Sequence, residues 1–348
     1  MYKLAKIFRT AVKYRASDIY ISTGVKPTLR INGDLVSIGE HPELTKKMAE
    51  EYLLEMLTPN QKQFFEQNLD LDFSVEIDTI ARFRVNMFVQ RKGIGAVFRL
   101  IPEKIQSIDE LALPNQLRKA IQFKNGLVVI TGPTGSGKTT TLAAMVNEIN
   151  KLQRKHIITI EDPIEYTHQN NQSIVQQREV GTHTNSFSKA LRSALREAPD
   201  VILLGEMRDY ETIRQAITAA ETGHLVIATL HTRGCANSIN RIIDSFPTNQ
   251  QNQIRSQLSE SLRAVFWQNL IKTRDGKGRI PATEIMFVNN GIANLIRKNS
   301  THQINSVIET SSKEGMQTMK KSLEDLYNAG LITQEDTLAN MPVEFRTS

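Results

Sequence analysis

Thr131-Gly132-Pro133-Thr134-Gly135-Ser136-Gly137-Lys138-Thr139-Thr140 decides the reading of the second half of the chain. The run Leu127-Val128-Val129-Ile130 before it reads as a buried strand, and Leu142-Ala143-Ala144-Met145-Val146 after it reads as a helix. Between them, Gly132 to Thr139 has the G-x-x-x-x-G-K-[ST] spacing of a phosphate-binding loop. Glycines let successive backbone N–H groups turn inward on a phosphate, and the following helix N-terminus adds partial positive charge. Lys138 is expected to reach the β- and γ-phosphates, and the Thr139 hydroxyl to ligate Mg²⁺. An ordinary Gly-rich turn is the plain alternative, but a strand before the loop and a helix after it favour nucleoside triphosphate binding.

Three more apolar runs follow: Ile157–Ile160, Val201–Leu204 and Leu225–Leu230. Apolar strands alternating with helices predict an α/β sheet covered on both faces. Such a sheet presents its functional groups at the carboxyl ends of its strands. Ile157–Ile160 ends in Glu161-Asp162-Pro163-Ile164-Glu165 and Val201–Leu204 in Gly205-Glu206-Met207-Arg208-Asp209. Leu225–Leu230 is bracketed by His224 and His231. Hydrolysis of a γ-phosphate needs a carboxylate to orient water and hard oxygen ligands for Mg²⁺. Glu206 and Glu165 are the candidates, although an acid at a strand end also caps helices for ordinary reasons. For His224 and His231 two readings stand side by side, γ-phosphate sensing or proton transfer and a satisfied core histidine.

Residues 1–101 read differently. Asp18-Ile19-Tyr20-Ile21-Ser22 and Thr28-Leu29-Arg30-Ile31 alternate as strands, and Asn32-Gly33-Asp34 signals a hairpin turn. Helical sequence runs from Lys46 to Asn68, and strands are expected at 72–75, 82–90 and 96–101, giving a mixed α+β module. Residues 102–124, with Pro102 and Pro114, read as a charged, partly helical linker, and 125–348 as the second domain, mostly helical from about 250 except for a strand at 282–288. Arg82 and Arg84 share one strand face, and Arg91 and Arg99 lie near. A solvated strand face explains them; the sharper reading has one or two neutralise phosphate from a neighbouring molecule, as an arginine finger does.

Composition narrows the classes. With 348 residues, 40% hydrophobic and 23% charged, the chain supports about two globular domains. Lys+Arg (43) barely exceeds Asp+Glu (37), and no dense basic run interleaves with aromatics, which argues against a nucleic-acid groove. A single cysteine, Cys235, excludes internal disulfides and Cys-rich zinc modules and fits a reducing compartment. No apolar stretch approaches a membrane span. The N-terminal stretch, with Leu4, Phe8, Ala11 and Val12 on one face and lysines between, reads as a helix packed on its own domain rather than on a membrane. A cytoplasmic protein is expected.

At these residues the chain resembles the twitching-motility retraction ATPases of type IV pili, within the secretion ATPase superfamily. Gly132 to Thr139 is similar to the family's Walker A, and Thr159 to Glu165 to its Asp box. Leu195 to Asp209 is similar to its atypical Walker B, and Thr222 to Thr232 to its His box. Ala16-Ser17-Asp18-Ile19 and Arg82-Phe83-Arg84-Val85-Asn86 match as well. The resemblance implies a PAS-like α+β N-terminal domain followed by a RecA-like P-loop ATPase domain with a helical C-terminal extension. It implies ATP and Mg²⁺ as ligands, with Lys138, Thr139 and Thr140 on phosphate and metal and Glu206 as the Walker B acid. Glu165 would orient water, and His231 would sense the site, with His224 beside it in the His box. Arginines among Arg82, Arg84, Arg91 and Arg99 would complete the site from the next subunit. Implied partners are a homo-hexamer, an inner-membrane pilus platform protein through which alone the membrane is met, and an accessory retraction ATPase; no nucleic acid is implied.

Two departures from the family pattern stand out. Gly291-Ile292-Ala293-Asn294-Leu295-Ile296-Arg297 has Ala293 where the family has arginine, and Ala198 stands where an acid is more usual. The second is shared with the accessory paralogue, whereas Glu221 to Thr232 and Met286 onward follow the primary retraction type better. A primary-type retraction ATPase is expected, with an accessory retraction ATPase or a non-motor regulatory partner of the pilus machine as the alternatives. Assembly motors of the superfamily are much longer and carry a four-cysteine zinc module, which one cysteine argues against.

Overall fold

The computed structural model describes residues 3–31, 33–77, 80–101 and 104–342, arranged as two units. One comprises Met1–Lys104 with Pro163–Thr167, the other Ile105–Asp162 with His168–Ser348. Asn32 of the expected turn and Pro102 at the head of the expected linker lie outside the described residues.

The first unit is built on six strands: β1 (Asp18–Ser22), β2 (Thr28–Ile31), β3 (Asp34–Ser37), β4 (Asp70–Ile77), β5 (Ala81–Gln90) and β6 (Gly93–Ile101). They pair antiparallel in the order β3-β2-β1-β6-β5-β4. Period-two alternation in β5 sends Phe83, Val85 and Met87 to one face, where they are fully buried. The helix Ala5–Lys13 covers that face, its Phe8 ring 4.7 Å from Phe83 and 5.1 Å from Phe98. Its apolar stripe is therefore spent inside its own unit, as the spacing predicts.

The helical sequence over 46–68 forms two helices, Lys46–Leu54 and Pro59–Asn68. Pro59 has no N–H to continue the first helix, and Thr58 starts the second through a capping box with Gln61.

The other face of this sheet is polar. Register aligns Ser74, Arg84, Arg99, Asp18 and Arg30 in one row across five strands. Asp18, 6% exposed, accepts from Arg99 Nε (3.0 Å) and Ser17 Oγ (2.8 Å), while Arg30 donates to the Tyr20 hydroxyl. Two arginines opposed on neighbouring strands would repel, and Asp18, between Arg99 and Arg30 in the row, offsets that charge.

The second unit holds β7 (Gly126–Thr131), β8 (His156–Glu161), β9 (Ile174–Glu179), β10 (Val201–Leu204), β11 (Leu225–Leu230), β12 (Leu262–Lys272) and β13 (Arg279–Phe287). Their order is β13-β12-β7-β11-β10-β8-β9, parallel throughout except for the antiparallel pair β12–β13. The four apolar runs read from the sequence are the adjacent central strands β7, β11, β10 and β8. Every residue of β7, β10 and β11 is buried, as a sheet covered on both faces requires.

Two expectations differ from the structure here. The expected linker has its helical part at Gln116–Ala120, but Ile108, Leu117, Ala120 and Ile121 are buried in the core of the second unit. The segment from Ile105 onward is thus part of that unit; its charged surface residues disguise a regular set of buried ones. The region after 250 contains not only helices and the strand at 282–288 but also β12, eleven residues long. It follows the helix Thr248–Ser261 with no turn between them, so no Gly or Pro signal marks the change. Helices Asn290–Arg297, Ile304–Thr310, Met319–Asn328 and Gln334–Asn340 complete the unit. No described helix is long and apolar enough to cross a membrane.

Candidate nucleotide site

The phosphate-binding loop joins β7 to the helix Lys138–Leu152. Its shape needs glycine at two points. At Gly132, φ is +151° and an added Cβ would stand 2.2 Å from the carbonyl oxygen of Gln268. Gly137 caps the helix from the left-handed region, at φ +84°. Gly135, Pro133 and Thr134 form the outward turn between them, with Ser136 N–H donating to Pro133 O at 3.2 Å. Ser136 is 2% exposed and its Oγ has no partner, a buried hydroxyl lining the loop.

Lys138 folds over the loop and donates to Gly132 O (2.8 Å) and Pro133 O (3.0 Å). Burial pulls its pKa below the ordinary lysine value, and the Glu206 carboxylate works in the opposite direction. The lysine and the acid therefore feel each other's charge, although they come from different strands.

Glu206 follows β10 and is held by Arg208 Nε at 2.8 Å and His231 Nε2 at 3.4 Å. His231 directly follows β11, and its neighbour Thr232 is tied to β7. Thr232 N–H donates to Thr131 Oγ1 (3.0 Å), and the two hydroxyls lie 2.7 Å apart. Loop, acid and histidine thus share the carboxyl edge of three adjacent strands. Asp209 caps the next helix through Thr212 N–H at 2.8 Å, which fixes the chain leaving Glu206.

The structure separates the two histidines. His224 precedes β11 and His231 follows it, so a six-residue strand lies between them, on the order of 20 Å. His224 is at the amino edge, its Nδ1 3.0 Å from Ala219 O at the end of the helix Tyr210–Glu221. It is not brought to the loop of its own chain.

Glu165 and the arginines belong to the first unit. Glu165 lies in the excursion Pro163–Thr167, and its Oε1 is 3.1 Å from Arg84 Nη1. Arg82 reaches Thr167 Oγ1 (3.0 Å) and Ser74 Oγ (2.9 Å). Arg99 is paired with Asp18, and Arg91 is exposed in the turn between β5 and β6.

Sequence reasoning passed over Glu161. It ends β8, 8% exposed, accepting from Thr159 Oγ1 (2.6 Å) and Gln177 Nε2 (3.2 Å). Since β8 pairs with β10, with Gly205 N–H bonded to Ile160 O, Glu161 stands beside the Glu206 segment. Its place as the last residue of an apolar strand was the available signal.

The donor set suits a Mg²⁺-nucleotide: a hydroxyl at Thr139 and a carboxylate at Glu206 are hard oxygen ligands, and the loop supplies backbone amides and the unpartnered Ser136 hydroxyl.

Comparison with known proteins agrees with this geometry. The model of the Type II/IV secretion system protein family matches residues 2–275. The chain is 48% identical over 334 residues to a twitching motility protein of Neisseria gonorrhoeae, covering 96% of this chain and 89% of that one. It is 46% identical over 344 residues to the type IV pilus retraction ATPase PilT of Pseudomonas aeruginosa, covering 98% and 99%. The crystal structure of the pilus retraction motor PilT with bound ADP superposes with a TM-score of 0.91 at 43% identity, covering 98% and 97%. A loop that fits phosphate, an acid and a histidine on adjacent strand ends, and full-length likeness to these proteins place the chain in the Type II/IV secretion system protein family, in its branch of pilus retraction ATPases.

Proposed function

We propose that the chain is an ATP-hydrolysing motor that retracts type IV pili and so drives twitching motility. The observation that carries this reading is the convergence of Lys138, Glu206 and His231 on the carboxyl edge of β7, β10 and β11. Lys138, held on loop carbonyls and disfavoured as a buried cation, gains a phosphate anion as its partner when nucleotide binds. Backbone amides from Thr134 to Thr140 and the Ser136 hydroxyl hold the phosphate oxygens. Thr139 and Glu206 would hold Mg²⁺, directly or through water, and a bound ion would supply charge neutralisation for the transferred phosphoryl group. Glu206 is oriented by Arg208 and His231, and His231 reads the state of the site through that contact.

Glu165 orients the attacking water, and Arg84 sets its carboxylate. Arginines among Arg82, Arg84, Arg91 and Arg99 stabilise the transition state from a neighbouring subunit of a hexamer. The ring works in the cytoplasm against an inner-membrane platform protein, with an accessory retraction ATPase as a second partner. Ala293, half-buried on the helix Asn290–Arg297, is the substitution that bears on force transfer rather than hydrolysis.

The test compares surface pili in cells lacking the chain with cells carrying Glu206→Gln. Both should show more pili and no twitching, and the purified variant should bind ATP but turn over at least ~10²-fold slower. Fewer or unchanged pili would exclude retraction, and near-normal turnover would remove Glu206 from its role.

A further inference from the structure

We propose that Gln268 is a positioning residue for the phosphate-binding loop, one that aims a loop amide at the phosphate from the neighbouring strand β12. The inference rests on the nucleotide-binding reading of the loop and deepens it. Gln268 is 3% exposed, with both ends of its amide engaged. Nε2 donates to Ser136 O at 2.6 Å, and Oε1 accepts from Thr141 Oγ1 at 2.8 Å. Ser136 is the last loop residue before the helix-capping Gly137, and Thr141 lies in the first helical turn. One side chain therefore ties the end of the loop to the start of the helix. The backbone of Gln268 acts at the loop's beginning, since its carbonyl fills the space that a Cβ on Gly132 would need.

What this fixes follows from peptide geometry. In a planar trans peptide the C=O and the following N–H point in opposite directions. Holding Ser136 O against Gln268 Nε2 therefore turns the Gly137 N–H away from β12, toward the concave side of the loop. Glycine at 137, in the left-handed region, would otherwise let this peptide plane rotate at little cost. Without the amide the loop keeps its sequence and loses the enforced direction of one donor. Such a direction matters most when a charged oxygen must be met by preset dipoles.

β12 is itself firmly held. Gln268 pairs in register with Thr283 of β13, whose N–H donates to Ser322 Oγ (3.0 Å) and whose carbonyl accepts from Gln317 Nε2 (3.1 Å). The C-terminal segment thus anchors the strand that carries the positioning amide.

The experiment measures ADP binding by the full chain, with the KM and kcat of ATP hydrolysis, for wild type, Gln268→Met, Thr141→Val and Thr141→Ser. Gln268→Met keeps length and removes both bonds. It should weaken ADP and raise the KM for ATP on the order of tenfold, with a smaller change in kcat. Thr141→Val should lose part of that affinity, and Thr141→Ser, which retains the hydroxyl, should recover most of what the valine variant loses. ADP affinity within twofold of wild type in Gln268→Met, with only the nucleotide-free melting temperature lowered, would overturn the proposal in favour of a purely structural role. If Gln268→Met does not fold, the two Thr141 variants decide: equal ADP affinity in both would overturn it. Failure of the wild-type chain to bind ADP would instead sink the nucleotide reading itself, as would binding unimpaired by Lys138→Ala.

Discussion

The two sheets of this molecule use their faces in opposite ways. In the parallel sheet both faces are covered, so β7, β10 and β11 have no side chain to spare, and chemistry is confined to the strand ends. In the antiparallel sheet one face is packed on helices and the other carries the row Ser74, Arg84, Arg99, Asp18 and Arg30. A sheet buried on both sides positions functional groups precisely because its strands cannot slide. A sheet buried on one side can offer a broad charged surface, with its arginines partly in water and Asp18 buried among them.

Side-chain truncation can break that contrast. In the first unit, Phe83 and its chain neighbour Arg84 face opposite ways. Phe83→Ala empties the centre of the Phe8–Phe83–Phe98 cluster and should cost about 3–5 kcal/mol, read from urea unfolding of the full chain by circular dichroism. Arg84→Ala removes a half-exposed ion pair with Glu165 and should cost no more than ~1 kcal/mol. A loss of several kcal/mol at Arg84 would mean that the charged face is structural. In the second unit, neighbours should not differ in this way. Ile157 and Ile158 are both fully buried on opposite faces of β8, and alanine at either should cost about 2–5 kcal/mol. Trp267, the only tryptophan, reports that unit by its fluorescence. A cost below ~1 kcal/mol at one of the pair would show that one face of the parallel sheet is not a packed core.

The same contrast explains what could be read from the sequence. Strands buried on both faces appear as uninterrupted apolar runs, so β7, β8, β10 and β11 were legible, as were the polar clusters at their ends. The loop was legible because its chemistry is local to eight residues. β12 was not, because its start follows a helix directly and its polar members Gln268 and Asn269 break the apolar run. Gln268 was therefore hidden with its strand, since its role depends on a neighbour more than a hundred residues away in sequence. His224 and His231 look symmetric in sequence because a strand has two ends, and only the direction of the chain tells them apart. Glu165 and Arg84 could be proposed separately, but their 3.1 Å contact is a tertiary fact.

The smallest effect concerns the quiet end of the parallel sheet. Ala198, just before β10, has φ +50°, a left-handed conformation that costs an L-residue with a Cβ roughly 1–2 kcal/mol. Its side chain is exposed, so nothing in the core depends on it. Ala198→Gly relieves the strain but also loosens the unfolded chain, which offsets roughly half of the gain. The net should be a stabilisation of up to ~1 kcal/mol, seen as a rise of a few degrees in the Trp267-detected melting temperature. Turnover should stay as it was, because residue 198 sits at the amino edge and the loop, Glu206 and His231 at the carboxyl edge. A fall in kcat with the rise in stability would show that strain at one end of β10 is felt by the acid at the other, and the rigid separation of edges argued above would then fail.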